Sequence, residues 1–435
     1  MTLLVVSPDY ASHLYPLATL ATAWHATGER VVVATGPATA GIVRDFGFER
    51  VDLRLGRGSN PGVIRAEDQP KGEDASLRGF FDATRRGAVE TLAFQAEARG
   101  DDLLWDPVTV ARDVQRIVSE VRPDHVIVDH LAFSARLALV SSGVHHADVV
   151  LGHPSALTVG DEVYGYPPAF PSAIVPDPAA LESLHKLCVR VRDSFTAQWN
   201  RALETLSPGA TPSVDAFAET GDVVLLNYPG DLHDPARTEL LPPHAFLGSA
   251  VRSEALDEQV EAWLSESDEP IAYVSLGSFL SVRSDVLASV ARALRDIDVR
   301  VAFALGSTPR EALGELPPSW LVRETLPQVR LLGRSALAVS HGGNNSVTEA
   351  ITASVPLLLL PLSTDQFAGA AAIERAGIGE ALDPNAATPD DLAAAARRLL
   401  ALDGAPRDRL DRIGSDLVRT PGAQRAHDIL TNTPV

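Results

Sequence analysis

Short, almost wholly apolar runs recur along the chain, separated by longer stretches whose apolar residues return every third or fourth position. The runs predict buried parallel strands at 3–7, 31–34, 125–128, 147–151 and 223–227, then at 271–275, 299–304, 336–340 and 355–360. The longer stretches predict helices. One opens at Pro16 and carries Leu17, Leu20, Ala21 and Trp24 on one face. Others fall at 76–98, 108–121, 181–206, 284–296, 365–376, 389–402 and 405–418, with a short one at 427–430. Strand and helix alternate, stop, and begin again. That order predicts an α/β fold of two Rossmann-like, doubly wound parallel-sheet domains facing across a cleft. The reading divides the chain into a first domain (1–228), a proline-rich linker (229–250), a second domain (251–418) and a tail (419–435) that returns to the first. Two stretches break the alternation, 55–74 and 153–171, both rich in glycine and proline and read as long surface loops.

Length and composition agree with this picture. The 435 residues suffice for two cores, and 45% hydrophobic with 22% charged residues is ordinary for a globular protein. A formal net charge of -20 argues against nucleic acid or an anionic membrane surface as partner. Cys188 stands alone, so no internal disulfide forms, and the N-terminal stretch has no leader-like pattern. The expectation is a cytoplasmic protein without a transmembrane segment, monomeric or homodimeric.

Candidate chemistry gathers where strands end. After the predicted strand 336–340 come His341-Gly342-Gly343 and a helix beginning near Asn344. Free amides and the dipole at that helix start favour an anion such as a phosphate, and the glycines admit it close to the backbone. Asn345 and Ser346 add donors, Glu349 lies one turn on, and a second polar loop brings Asp365 and Gln366. In the first half His13 follows the first strand and Asp129 ends a later strand of the same sheet. As a pair they would make a general base with its orienting carboxylate; taken singly, they read as a loop histidine and a helix N-cap. Phe80, Phe81, Phe94, Tyr164, Tyr166 and Phe170 either form one apolar pocket or belong to the core. No Walker loop, no Gly-x-Gly-x-x-Gly after the first strand and no Gly-x-Ser-x-Gly elbow is present, which argues against ATP hydrolysis, nicotinamide chemistry and serine-hydrolase chemistry. Asp296 and Asp298 read as turn residues, and His145-His146 lacks a third ligand at metal spacing.

These motifs resemble those of the nucleotide-sugar-dependent glycosyltransferases of the two-Rossmann-domain (GT-B) type, the group that is UDP-glycosyltransferase-like and includes plant secondary-product and bacterial natural-product enzymes. The resemblance rests on Leu326-Pro327-Gln328, His341 to Ser346, Glu349, Ser354-Val355-Pro356 and Asp365-Gln366. It extends to Tyr273 through Ser278 and, in the first domain, to His13-Leu14-Tyr15-Pro16 with Asp129. It implies that His341, Asn345 and Ser346 contact a donor diphosphate, that Gly277, Ser278, Gln328 and Gly343 belong to the same donor site, and that Glu349 binds ribose. It further implies that Asp365 and Gln366 hold the transferred sugar, and that His13 is the base and Asp129 its partner. The implied reaction is an inverting transfer from a dTDP- or UDP-linked sugar to a hydroxyl of a small lipophilic acceptor, a natural product, with no metal and no cofactor beyond the nucleotide sugar. Two other classes stand beside it: a non-catalytic activator of the same fold, and an epimerase or hydrolase of the nucleotide sugar. Ser12 replaces the glycine usual before the histidine, and Thr325 stands where an aromatic residue often stacks on the base.

Overall fold

The structure, a computed structural model, describes residues 1–60, 62, 73–99 and 103–432. The loop read at 55–74 therefore lies partly outside the described residues. Among the described residues thirteen strands form two sheets, and every pairing in them is parallel. The first contains β1 (Thr2–Val6), β2 (Arg30–Thr35), β3 (Glu49–Asp52), β4 (His125–Asp129), β5 (Ala147–Val150), β6 (Val223–Leu226) and β7 (His244–Phe246), in the order β3-β2-β1-β4-β5-β6-β7. The second contains β8 (Ile271–Ser275), β9 (Arg300–Ala304), β10 (Leu321–Arg323), β11 (Leu337–Ser340), β12 (Leu357–Leu359) and β13 (Gly379–Ala381), in the order β10-β9-β8-β11-β12-β13. Helices cover both faces of each sheet, which is why the central strands are apolar throughout. Leu3 and Val5 of β1 pack to one side against Leu17, Leu20 and Trp24, while Leu4 and Val6 pack to the other against Val114 and Ile117.

In each sheet the order reverses once at the middle, between β1 and β4 and between β8 and β11. Loops leaving neighbouring strands there diverge to opposite faces and open a crevice at the carboxyl edge. That geometry fixes where ligands bind before any side chain is considered.

Three expectations change. The segment 229–250 is more than a linker: its residues His244–Phe246 pair with β6 as the seventh strand of the first sheet. The first helix starts at Ala11, so Pro16 sits inside it rather than at its opening. Lacking an N–H, Pro16 leaves the Ser12 carbonyl one turn back without its helical partner. The helical stretch at 76–98 is two helices, Glu73–Arg86 and Ala88–Arg99, broken at Gly87, whose φ of +143° suits glycine. At the other end of the chain, the helix Gly422–Asn432 packs on the helix Ala11–Ala26, with His427 edge-on to the buried Trp24 ring at 4.9 Å between centroids.

Candidate active site at the two switch points

At the reversal of the first sheet, β1 runs into the helix bearing His13, and β4 ends on Asp129 beside it. His13 Nδ1 lies 2.6 Å from Asp129 Oδ2, and Asp129 Oδ1 accepts the Leu131 N–H at 2.9 Å. The carboxylate is wholly buried, whereas the histidine side chain keeps 27% of its surface. Burial opposes charge on His13, but the Asp129 carboxylate outweighs it, with a smaller contribution from Asp365, and raises the imidazole above its ordinary 6.5. Burial would lift Asp129, yet His13 holds it below the usual carboxylate range. With Nδ1 donating to the carboxylate, Nε2 carries the lone pair, as a general base requires.

At the reversal of the second sheet, β8 leads into Gly277-Ser278 and β11 into His341. The two loops meet edge to edge. A Cβ on Gly277 would stand 2.9 Å from His341 Cε1, and one on Gly343 would stand 2.4 Å from His341 Nε2, so glycine on both sides makes room for the ring. Gly277 has φ +71° and Gly342 φ +85°, which an L side chain rarely adopts. Gly343 caps the helix Asn344–Thr352, whose first amides open beside the ring. His341 Nδ1 is buried without a partner, and desolvation lowers the imidazole to about 4. A neutral ring beside a helix N-terminus is a hydrogen-bonding group suited to an anion.

One turn further, Glu349 sits in a network. Its Oε1 accepts from Arg252 Nη1 at 3.0 Å and its Oε2 from Gln328 Nε2. Gln328 Oε1 accepts in turn from the Tyr273 hydroxyl at 3.3 Å and the Ser346 hydroxyl at 3.4 Å. Burial raises Glu349 above its ordinary value, against the opposing pull of Arg252 and Gln328. The sequence brought Gln328, Ser346 and Glu349 together through the resemblance. Arg252 was missed, because nothing in its spacing links it to a helix almost a hundred residues away.

The two switch points face each other and touch. Asn345 Nδ2 donates to the Ser12 carbonyl at 3.1 Å, the very group that Pro16 leaves free. Asn344 donates to two carbonyls at the carboxyl edge of the first sheet, Leu151 and Asn227, both at 2.8 Å. Asn227 also holds the Ala250 amide at 2.8 Å. The sequence carries one sign of this contact: Asn227 is a polar residue ending an apolar strand, which marks a sheet edge. Further off, Arg283, almost wholly buried, bridges the Thr84 carbonyl and Asn385 at 3.1 and 2.8 Å.

Asp365 and Gln366 divide in character. Asp365 lies across the cleft, its Oδ2 accepting from the His153 N–H, a contact made possible by Gly152, where a Cβ would collide with that oxygen. The neighbouring Thr364 holds φ +52°, uncommon for a β-branched residue and costly unless its loop is held in place. Gln366 is buried and turned inward: its Oε1 accepts from Leu362 and Ser363 amides at 3.0 and 3.1 Å, and its Nε2 donates to Ser363 Oγ at 3.1 Å. It braces the loop that presents Asp365, and both ends of its amide are already engaged.

The six aromatic residues do not line a single pocket. Phe80, Phe81 and Phe94 join the core of the second sheet, where Phe80 and Phe81 meet Phe279 at 5.3 and 5.2 Å between centroids. Tyr164 stacks on Phe217 at 4.0 Å inside the first domain. Tyr166 and Phe170 pack around Phe367 in a third cluster. The rings are divided among three separate apolar clusters, which is why they share no pocket. Among the described residues no group of three or more histidine, cysteine, aspartate or glutamate side chains is placed to hold a metal ion, and no helix is long and apolar enough to cross a membrane.

A family profile described as "UDP-glucoronosyl and UDP-glucosyl transferase" matches residues 187–404, half of the chain, and includes both loops of the second switch point. The chain belongs to this family. Among its relatives, the NDP-glycosyltransferase YjiC of Bacillus licheniformis is 28% identical over 188 residues, covering 42% of this chain and 46% of that one. The chain thus spans about half the length of this relative and of its Bacillus subtilis namesake, at 43%. The demethyllactenocin mycarosyltransferase of Streptomyces fradiae is 27% identical over 429 residues, 97% of this chain and 84% of that one. Among solved structures, the glycosyltransferase VinC in complex with DTDP superposes with a TM-score of 0.68 at 21% identity, covering 99% of each chain. SnogD from Streptomyces nogalater gives 0.64 at 22%, again covering 99% of both. For the family member described here, these likenesses establish the two-domain GT-B fold.

Proposed function

We propose that this protein is an inverting glycosyltransferase. It moves a sugar from a nucleoside diphosphate, dTDP- or UDP-linked, to a hydroxyl of a small lipophilic acceptor of the natural-product kind. The observation that carries the reading is the opposition of two half-sites: an oriented His13–Asp129 base, and an anion-binding loop with a neutral His341, joined through Asn345 and Ser12. The relatives named as an NDP-glycosyltransferase and a mycarosyltransferase support this reading.

In this reading His13 Nε2 takes the proton of the acceptor hydroxyl while Nδ1–H stays on Asp129, which stabilises the imidazolium as it forms. The acceptor oxygen bonds to the anomeric carbon from the face opposite the leaving group. The bond from that carbon to the diphosphate oxygen breaks, and the electron pair leaves with the nucleoside diphosphate. His341 and the amides at the start of the helix Asn344–Thr352 receive that growing charge without a metal. Asp365 accepts from a sugar hydroxyl, and Glu349 from the ribose.

The division of labour is testable. His13→Ala should lower kcat by about 10²–10⁴-fold and leave the affinity for a nucleoside diphosphate intact. The check is steady-state rates beside a thermal-shift titration with UDP, dTDP and GDP, since a bound ligand raises the apparent Tm. Equal loss of binding and turnover would argue against a base on the first domain. Release of free sugar or of an epimer without acceptor would point to nucleotide-sugar hydrolysis or epimerisation instead.

A further inference from the structure

Asn227 follows the last residue of β6 and is 1% exposed. Its four hydrogen-bonding groups reach four different places. The N–H donates to the Val150 carbonyl at 3.0 Å, and the carbonyl accepts from Asn344 Nδ2 at 2.8 Å. In the side chain, Oδ1 accepts the Ala250 N–H at 2.8 Å and Nδ2 donates to Asn345 Oδ1 at 3.4 Å. One residue of the first domain thus holds both the far end of the segment between the domains and the first two residues of the helix Asn344–Thr352.

The side-chain bonds form a chain with a direction. The Ala250 N–H donates to Asn227, Asn227 to Asn345, and Asn345 Nδ2 to the Ser12 carbonyl at 3.1 Å. Both ends are backbone: the Ala250 N–H can only donate, and the Ser12 carbonyl can only accept. Neither amide between them can turn over without setting oxygen against oxygen and hydrogen against hydrogen, so the two ends dictate the orientation of both asparagines. Ser12 is the neighbour of His13 in the same helix. The chain therefore runs from the interdomain segment, past the start of the anion-binding helix, to the base.

We propose that Asn227 is a positioning residue: by donating to Asn345 it seats the start of the helix Asn344–Thr352 against Ser12, and so sets where His13 stands opposite the diphosphate loop. This rests on the reading of His13 as base and of that loop as the diphosphate site. The partners of Asn227 are all amide groups of the protein, at Val150, Ala250, Asn344 and Asn345, and none of them titrates. That makes Asn227→Asp a selective perturbation. An ionised carboxylate has no donor for Asn345 Oδ1, whereas a protonated one offers one O–H and one accepting oxygen and restores the chain. Burial raises such a carboxyl above the usual carboxylate range.

The test uses the whole chain with UDP-glucose and dTDP-glucose as donors and a phenolic acceptor. At about pH 8, Asn227→Asp should lose about 10- to 100-fold in kcat, the scale of a misplacement near 1 Å. Calorimetry should give Kd values for UDP and dTDP within about 3-fold of the natural chain's at full binding stoichiometry, which shows that the protein is folded. The ratio of variant to natural kcat should climb toward one as pH falls to about 5.5, since titration of His13 is common to both. Asn227→Ala should show the loss without the recovery, and in an Asn345→Ala background it should add little. Hydrogen exchange reads the same coupling without turnover. The Leu14 and Val347 amides, each in the first turn of its helix, should exchange faster together in Asn227→Ala; a role confined to the first domain would free only the Asn227 and Ala250 amides. If the aspartate variant does not fold, the alanine variant and its exchange carry the test. Unchanged exchange at Leu14 and Val347, kcat within about 3-fold of the natural value, or equal loss of kcat and diphosphate affinity overturns the proposal. So does an aspartate variant whose ratio ignores pH. If the natural chain binds neither UDP nor dTDP, the reading of the site beneath the proposal falls instead.

Discussion

Replacing Asp129 by asparagine separates orientation of the base from every other role of that residue. Asp129, itself buried, makes two partly buried hydrogen bonds, accepting from His13 Nδ1 at 2.6 Å and from the Leu131 amide at 2.9 Å. Asparagine can accept only one of them. The Leu131 N–H is a fixed donor in a buried place, so the amide oxygen must turn to it, and the NH₂ group then faces His13. Nδ1 must become the acceptor, and the ring proton moves to Nε2, where the lone pair is needed. The base is lost through its tautomer while its position hardly changes. The expected loss in kcat is about 10²–10⁴-fold, the range for general-base help. Exchanging a charge-assisted bond for a neutral one lowers stability by about 1–2 kcal/mol. Affinity for the nucleoside diphosphate should hold, since no group of the second domain changes. The assay is initial-rate release of nucleoside diphosphate with a phenolic acceptor across about pH 5.5 to 9, the range in which an imidazole titrates. In the natural chain the rate should rise with pH through a value above 6.5, because His13 is raised despite its burial. The variant should lose that rise. An asparagine variant that keeps kcat within about 3-fold would refute the argument, as would one that loses donor affinity and turnover equally.

Two other outcomes follow from the glycines and histidines at the switch points. Gly343→Ala would set a Cβ 2.4 Å from His341 Nε2 while its φ of -60° suits alanine, so the ring alone must move. Donor kcat/KM should fall by about 10²-fold with little change in Tm, and the effect should vanish in a His341→Ala background, a double-mutant cycle that a general fold defect would not satisfy. Acid should destabilise the protein through its neutral histidines. His130 and His341 are lowered by burial to about 4, so below 6.5 the unfolded chain takes up protons that the folded one refuses. Each contributes about 3 kcal/mol that is lost as pH falls from 6.5 to about 4, whereas His13, being raised, favours folding below 6.5 and loses that contribution as pH rises through its own value. Tm measured against pH should therefore fall steeply in that interval, less so for His341→Gln; parallel curves would count against this account.

What the sequence displayed depended on how far apart the partners lie along the chain. The central strands were legible because burial on both faces forces an unbroken apolar run, as in Val31-Val32-Val33 or Leu357-Leu358-Leu359. The edge strands β3, β7, β10 and β13 were not: each is three or four residues long and mixes polar with apolar residues, so no apolar run forms. The site divides likewise. Asn345, Ser346 and Glu349 share one short helix and His341 stands in the loop just before it, so their grouping survives in the sequence. Arg252, Asn227 and His153 act through contacts that only the folded chain creates, and a solitary arginine after a proline-rich stretch carries no mark of its target. The starting point of the first helix was misplaced for a related reason. Pro16 is a good opening residue by local rules, and the missing hydrogen bond inside the helix is compensated from another domain.

That compensation bears on how the two halves can be recombined. The Ser12 carbonyl is left free by a proline in one half and taken up by an asparagine in the other. Hybrids assembled by joining the first half of one relative to the second half of another are a natural route to new acceptor and donor pairings. Such a hybrid inherits His13 from one parent and the His341 loop from the other, and the Asn345–Ser12 bond is one of the contacts between them that is split between parents. A junction drawn within 229–250 cuts between Pro16 and Asn345. Hybrids whose parents both carry this pair should retain turnover, and those that break it should fold into two sound halves that face each other out of register.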